Sequence, residues 1–566
     1  MRNLLNEVSR ELKSSMGLEL GPNDFGRVPD ATLGHIAIPC FRWAKATGKK
    51  PPEVASEVAA KLARAKLEWV SQAKPLGPYV NLFLNPSKAF THLKAQAHNF
   101  GSSTLGNGKT ICIDYSSPNV AKEIGLHHIR STAIGHSLSK IAEHHGYKVV
   151  RINYLGDWGT SFGKLIVALE LYGKESELDQ GGLPYMLDLY VRFNKAEKDN
   201  PSLSDKARQA FSDLEAGNQN HRRLWKLFRD ISIRELKKSY DRLGIVYDHF
   251  DGESLYESKL DSVVNEITQN VGTRVSDGAL VCDLPGHKIP ILLKKADGAS
   301  LYITRDMAAA DDRYQRFHFD ESWYVVAVQQ KLHFQQLFDL LTALKKPFAG
   351  TLKHIWFGMM SFGTKTMKTR EGNVLLLSDV LNEAHTRALE VIQSKNPELE
   401  NASDVAEMIG MGAILFNDLS QNRTHDVKFI WEQALSFEGD TAPFIQYTHA
   451  RCHSLVHKAQ KHLASLNKSS NDQPSVLEHE AVQNLLKEIC FFELASEKAL
   501  ADLDPSQIAS SMIDISKAMN QLYHKIRFMD ESSSTRLAEL IDLTQTTASI
   551  LNSGLGLLGI RAPKEM

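Results

Sequence analysis

KTICIDYSSPNVAKEIGLHHIRSTAIGHSLSKIAEHHGYKVVRINYL, residues 109–155, decides the fold. It opens with KTICIDYSS, a short β-rich run. Residues 122–145 then carry a helical pattern, and YKVVRINYL returns to a strand. Strand, helix and strand in so short a stretch make a βαβ unit, so the two strands lie parallel. Further along, SWYVVAV (322–328) and KHIWFGMM (353–360) read as more buried strands of the same sheet. Residues 165 to about 250 are helical and charged, which reads as an insertion in the sheet domain.

Outward from this centre the texture changes on both sides. On the N-terminal side, PPEVASEVAAKLARAKLEWV (51–70) has helical periodicity after a Pro-Pro start, and PYVNLFLN (78–85) alternates like a strand. The Gly/Ser-rich FGSSTLGNGKT (100–110) marks a boundary. On the C-terminal side, from Leu376, nearly all of the pattern is helical. SLVHKAQKHLASL (454–466) and RLAELIDLTQTTASILNSGLGLLG (536–559) carry apolar residues at spacings of three and four. NKSSNDQPS (467–475) is a low-complexity linker within that part, and no internal repeat is found. The expected fold class is α/β: a Rossmann-like parallel-sheet domain over 106–375, an N-terminal α+β domain over 1–105, and a C-terminal all-α helical bundle over 376–566.

The length of 566 residues fits three such domains. The formal net charge is −1, which advertises no nucleic-acid partner but leaves room for a local basic surface, all that RNA binding needs. None of Cys40, Cys112, Cys282, Cys452 and Cys490 forms a CxxC pair, so no protein metal site is expected. Scattered thiols fit a reducing, cytoplasmic compartment. Residues 1–17 read as a short amphipathic helix carrying Glu7 and Glu11, without the apolar core of a signal peptide. No apolar stretch approaches the ~18 residues of a membrane span. Neither membrane nor DNA is an expected partner, and a monomer is expected.

Five strings carry the chemistry. The first is SSPNVAKE (116–123) followed by GLHHIRST (125–132), where a parallel strand ends and a helix begins. That junction is the usual ligand crevice of a doubly wound sheet, and a helix start with imidazole donors suits phosphate. An isolated pair of histidines is usually a surface feature; the surrounding string changes the reading. The second is NYLGDWGTSFG (153–163), a tight three-glycine turn. The third is dispersed: GES (252–254), LYITRD (301–306) and QQ (329–330). Within it Tyr302 and Asp306 stand four apart and share a helix face. The fourth is the basic loop GTKTMKTREG (363–372), and the fifth is FEGDTAPFIQYTHAR (437–451).

Together these strings resemble the arginyl-tRNA synthetases, a class I family, and the resemblance spans essentially the whole chain. The family's first motif runs SSPNVAK, two residues, then H-x-G-H-x-R-S-T. Gly125 stands where the family has its first histidine, and His127 stands where it has glycine. This departure leaves two readings: His127 takes over part of the missing histidine's role, or ATP handling is altered. The second string is similar to N-H-x-G-D-W-G-T-Q-F-G, with Ser161 in place of Gln. The fourth lies where class I enzymes carry K-M-S-K-S, with Lys368 one register off the usual second lysine. Family members with this degeneracy keep a lysine ahead of the histidine motif, a place Lys122 fills. The fifth resembles F-E-G-N-T-x-P-Y-x-Q-Y-x-x-x-R, with Asn422-Arg423, Phe429 and Trp431 matching upstream. Leu33-Gly34-His35, Ala37 and residues 77–81 are weaker matches to the family's N-terminal domain. Residues 559–566 look like the family's chain end, so a complete chain is expected.

The resemblance implies an enzyme that adenylates L-arginine with ATP and transfers it to the 3′ end of tRNA-Arg, with Mg2+ on the phosphates and tRNA bound for the first step. It implies Asn119, Glu253, Tyr302, Asp306 and Gln330 around the amino acid; carboxylates accept bidentately from a guanidinium, and an aromatic ring covers its stem. Ser117, Gly125, His127, His128, Met367 and Lys368 fall at ATP. Lys122, His127, His128 and Lys368 are the implied catalytic groups. Phe444, Gln446, Tyr447 and Arg451 face tRNA in an anticodon-binding bundle. Two other functions share some of these features. A tRNA-binding relative impaired in catalysis would fit Gly125 and His127. An enzyme making the adenylate for another acceptor would not need the anticodon domain.

Overall fold

The structure, a computed structural model, describes residues 1–21, 24–295, 302–362, 376–466 and 474–566. Thr104–Arg387 and Gln421–Ile430 form one compact unit; Met1–Ser103, Ala388–Ser420 and Trp431–Met566 form another.

The first unit is built on a five-stranded parallel sheet. Its strands are β1 (Thr110–Asp114), β2 (Lys148–Leu155), β3 (His249–Gly252), β4 (Glu321–Tyr324) and β5 (Leu352–His354), arranged β5-β4-β1-β2-β3. Ile111, Cys112 and Ile113 are all buried. A strand covered on both faces needs an unbroken apolar run rather than an alternating one. Helix α1 (Ile129–His144) crosses from β1 to β2, α2 (Tyr302–Phe317) precedes β4, and α3 (Lys331–Ala343) joins β4 to β5. Met307, Ala310, Leu337 and Leu341 of α2 and α3 pack with Cys112 and Ile152 in one core. The chain order reverses between β1 and β4, so the carboxyl ends of these two strands open the crevice of a doubly wound sheet.

Four helices, Thr160–Tyr172, Leu178–Asp199, Ser202–Glu215 and Gln219–Arg242, fill the sequence between β2 and β3. One local expectation is corrected. The helix expected from residue 122 starts at Ile129, because the preceding backbone is used elsewhere. Ile124 O accepts from Leu377 N–H and Gly125 is bridged to Leu376, while Ala121, just ahead, adopts a left-handed φ of 61°. An antiparallel sheet of Arg274–Ser276, Ala279–Cys282 and Ile291–Lys294 was not anticipated. Its tight hairpin turns on Asp277 (φ 49°) and Gly278 (φ 80°), the Asp-Gly pair that suits a two-residue turn with both φ positive.

The second unit holds an antiparallel sheet ordered Gly26–Arg27, Ile36–Pro39, Tyr79–Leu84, Val70–Leu76, and a set of long helices. One of them, Ala442–Ser465, has Pro443 in its first turn and Thr441 as cap, accepting from Phe444 N–H. No helix among the described residues is long and apolar enough to cross a membrane.

Candidate active site

The loop after β1 is strained and heavily held. Ser116 (φ 74°), Ser117 (φ 49°) and Ala121 (φ 61°) lie in left-handed conformations that side chains other than glycine disfavour. Ser116 N–H donates to Ser131 Oγ at 2.9 Å, and Ser116 Oγ lies 2.8 Å from the Tyr240 hydroxyl. Ser117 N–H reaches Asn153 Oδ1 at 3.2 Å, and its Oγ donates to Asp114 Oδ1 at 2.9 Å. Ala121 N–H donates to Ser232 Oγ at 3.1 Å. Asn119 pairs with Gly156 as a parallel bridge. A Cβ at position 156 would fall 2.2 Å from Asn119 Oδ1, so this glycine of the GDWG string is what permits the approach.

A cavity of about 300 Å³ opens at the carboxyl ends of β1 and β4. Ser117, His127, His128, Gln329, Gln330 and Met359 are among the residues that line it. His127 and His128 lie with ring centroids 4.0 Å apart. His128 Nδ1 is 3.2 Å from Gly125 O. A carbonyl only accepts, so Nδ1 carries the proton and the neutral ring presents Nε2 as an acceptor. Burial first, then the neighbouring His127, pushes His128 down to about 4, against a weaker upward pull from Gly125 O. Burial also lowers His127. Gly125 is extended (φ −78°, ψ 154°) and precedes the short turn Leu126–His128. Buried Arg130 donates to His425 O at 2.9 Å, fixing the wall beside Met359. Lys122 is exposed and does not line the cavity. Met367 and Lys368, with the whole 363–372 loop, lie outside the described residues.

Two carboxylates lie at the neighbouring edge of the sheet, Glu253 with Arg305 Nη1 at 3.9 Å and Asp306 beside His333. Glu253 follows β3 directly, and buried Asp157 fixes that turn. Its oxygens accept from Ser254 N–H (2.9 Å), Ser254 Oγ (2.8 Å) and Arg229 Nε (2.8 Å). A Cβ at position 252 would meet the Asp157 carboxylate at 2.1 Å. Glu253 is pushed up to about 7, chiefly by burial; Arg305 opposes this, and Asp306, Asp157 and Glu257 add to it. Asp306, on α2, bonds His333 Nε2 of α3 at 2.6 Å. Tyr302, one helical turn before Asp306, is 64% exposed and so is open to a ligand. The same helix is anchored by Arg313, whose guanidinium donates to Asp114 Oδ2 at 2.7 Å with both side chains buried. Of the residues expected around the amino acid, the structure sets Glu253 and Asp306 near each other and Gln330 in the cavity, while Asn119 is exposed on its own loop. Sequence reasoning gave no role to Asp157, Arg313 or His333. Asp157 was within reach, as the acid of a quoted string.

In the other unit, Tyr447 and Arg451 share a helix face with an outside neighbour. Arg451 donates to Asn520 Oδ1 (2.7 Å) and the Tyr447 hydroxyl (3.0 Å). Its guanidinium lies over the rings of Tyr447 (4.7 Å) and Tyr523 (5.1 Å). Tyr523 is exposed and was missed, because no string marks it. Phe444 is half-buried. The expectation for Gln446 is corrected: it is fully buried, and its amide nitrogen donates to Met408 O and Arg561 O. It locks the helix to the chain end and offers no face to RNA.

A doubly wound parallel sheet, a histidine pair at its switch point and an all-helical C-terminal part are the attributes of a class I tRNA synthetase. Residues 91–431 match the family described as tRNA synthetases class I (R), catalytic domain. Residues 445–566 match the DALR anticodon binding domain, and residues 2–84 the Arginyl tRNA synthetase N terminal domain. The arginine–tRNA ligase of Alkaliphilus metalliredigens is 39% identical over 546 residues, covering 95% of this chain and 94% of that one. The arginine–tRNA ligase of Clostridium kluyveri is 37% identical over 568 residues, covering 99% of both. The structure of Thermus thermophilus arginyl-tRNA synthetase has the same fold, with a TM-score of 0.79 at 22% identity over 100% of both chains. The chain belongs to the arginine–tRNA ligase family.

Proposed function

We propose that this ligase binds ATP in the cavity between β1 and β4 and arginine against the adjoining carboxylates, then passes the arginyl group to tRNA-Arg. The observation that carries this reading is the meeting of Glu253 and Asp306 in a partly dehydrated site. Burial, with a smaller push from the Asp306 charge, holds Glu253 up at about 7, and a dehydrated acidic site of this kind favours a bound cation. A guanidinium satisfies both carboxylates with planar pairs of donors.

Asn119, Glu253, Tyr302, Asp306 and Gln330 hold the amino acid in this reading. Ser117, Gly125, His127, His128, Met367 and Lys368 hold ATP, and Lys122 serves the phosphates. The arginine carboxylate attacks the α-phosphorus, and the bond to pyrophosphate breaks. The 3′-terminal ribose hydroxyl of tRNA then attacks the activated carbonyl, and AMP leaves. No side chain serves as nucleophile; the residues align the reactants and stabilise developing charge. Mg2+ arrives with ATP.

Tyr447 and Arg451, with half-buried Phe444, offer stacking faces to unpaired anticodon bases. The domains divide near residues 105 and 375, with the N-terminal domain at the outer corner of tRNA. The enzyme acts as a cytoplasmic monomer and needs tRNA for the first step. Identity of 37–39% with curated ligases over almost the full length supports a working enzyme despite Gly125 and His127.

Exchange of pyrophosphate into ATP tests the reading. Exchange should require arginine and tRNA together, and lysine should not replace arginine. Exchange with lysine at the arginine rate, or none under any condition, overturns it.

A further inference from the structure

Tyr154 is the penultimate residue of β2, and it pairs in register with Asp251 of β3, two residues short of Glu253. Its ring is flanked by the guanidinium of Arg313 at 5.2 Å and by Tyr256 at 6.1 Å. Arg313 stands seven residues, two helical turns, after Asp306, so both project from one face of α2. Tyr154 is therefore bracketed: Glu253 lies just beyond the end of the paired strand β3, and Asp306 lies along the helix face that covers its ring. Both acids push its phenol further up, on top of the larger effect of burial.

The hydroxyl at the tip of this ring is sealed from solvent and has no hydrogen-bond partner among the described residues. A buried polar group without a partner destabilises the fold that contains it, so such groups are rare. Placed between two carboxylates, a hydroxyl can donate its proton to one of them and accept an N–H from a bound cation. A carboxylate alone can only accept. A guanidinium carries five N–H donors, more than two carboxylates engaged along its edges take up.

We propose that the Tyr154 hydroxyl is a specificity-determining member of the amino-acid pocket, accepting from the guanidinium of bound arginine between Glu253 and Asp306. This rests on the reading that those two carboxylates receive arginine. The unpartnered hydroxyl supplies an acceptor beside the two carboxylates, and it selects a forked donor group over a compact ammonium.

The test replaces Tyr154 by Phe, which removes the oxygen and keeps the ring beneath Arg313. Arginine and ATP KM values are measured by tRNA-dependent pyrophosphate exchange, beside Asp306→Asn as a parallel variant. A lost hydrogen bond to a charged ligand should raise the arginine KM of Tyr154→Phe about tenfold to a hundredfold, with the ATP KM within twofold. Without ligand, Tyr154→Phe should melt at or above the wild-type temperature, because no partner is lost, while its stabilisation by added arginine shrinks. An unchanged arginine KM, with Asp306→Asn raising it, overturns the proposal and leaves the pocket reading intact. A lower melting temperature without ligand also overturns it, because the hydroxyl then has a structural partner. If neither variant changes the arginine KM, the pocket reading itself falls.

Discussion

Replacing Arg313 by Met tests the link between the two halves of the site. The Arg313–Asp114 pair is buried, with 1% and 6% of the two side chains exposed and 2.7 Å between the charged atoms. Asp114 ends β1 and also accepts from Ser117 Oγ, while Arg313 belongs to the helix that carries Tyr302 and Asp306. Methionine fills much of the space between the rings of Tyr154 and Tyr324 but leaves the carboxylate without its cation. Breaking one side of a buried pair costs about 3–5 kcal/mol. With a urea dependence near ~3 kcal/mol per molar, the unfolding midpoint of this unit should fall by about 1–1.7 M. Burial already pushes the Asp114 carboxyl up, and the Arg313 charge is the largest effect opposing it. Without Arg313 the folded protein should hold a proton on Asp114 that the unfolded chain releases near pH ~4. Stability of the variant should then decline as pH climbs from there to the raised folded value. Urea titrations at pH 5.5 and 8, followed by tryptophan fluorescence, measure both effects. The double variant Arg313→Met/Asp114→Asn has no buried charge and should recover most of the loss. Equal midpoints for the single and double variants, with no pH dependence in the single one, would refute the uncompensated-charge argument.

Three further outcomes are expected. Asp306→Ala should weaken arginine binding by about 2–5 kcal/mol by leaving the substrate charge unpaired, and an unchanged arginine KM would sink its assignment. His128, near 4 and protonated at Nδ1, can donate from Nε2 only after gaining a proton, which a bound phosphate favours. ATP should therefore bind with proton uptake and more tightly at pH 6 than at pH 8; calorimetry in two buffers of different ionisation heat would show no difference if the idea is wrong. Arg451→Ala should raise the tRNA KM and lower the salt dependence of tRNA binding by about one ion, and an unaltered salt slope would remove Arg451 from the RNA face.

The parallel sheet was legible because strand, helix and strand in β1, α1 and β2 imply parallel pairing, and because the runs SWYVVAV and KHIWFGMM are apolar enough for strands buried on both faces. The start of α1 was not, because helical periodicity continues upstream through residues 122–128, where Ile124 O accepts from Leu377 N–H and Gly125 is bridged to Leu376 instead. The Asp277–Gly278 hairpin had a local signal, but its strands of three and four residues are too short for alternation to show. The candidate site was legible only as strings: Ser117 and His128, which line the cavity, and Glu253 and Asp306 were singled out by resemblance, since a lone carboxylate carries no periodic signal. His333 and Arg313 were out of reach for a different reason. Each acquires its role from a partner far along the chain, 27 residues for His333 and 199 for Arg313, and only packing of α2 and α3 on the sheet creates those contacts.

The same long-range dependence explains why strain can persist in the loop after β1. Three non-glycine residues in left-handed conformations cost about 1–2 kcal/mol each, about 3–6 kcal/mol together. Five hydrogen bonds converge on them, from Asp114, Ser131, Asn153, Ser232 and Tyr240. At about 0.5–1.5 kcal/mol each they return about 2.5–7.5 kcal/mol, so the loop stands close to balance. Its partners come from β1, α1, β2 and the helix Gln219–Arg242, so the loop conformation is secured only when sheet and insertion have both assembled. An enzyme whose side chains attack nothing must draw its rate from alignment, and alignment tolerates little looseness. In this protein part of that burden falls on residues that hold the loop after β1 and the turn after β3. Ser131 and Ser232 set where Ser117 and Asn119 stand, as Asp157 does for Glu253. A methyl-sized change at any of the three should therefore appear in the kinetics before it appears in the fold.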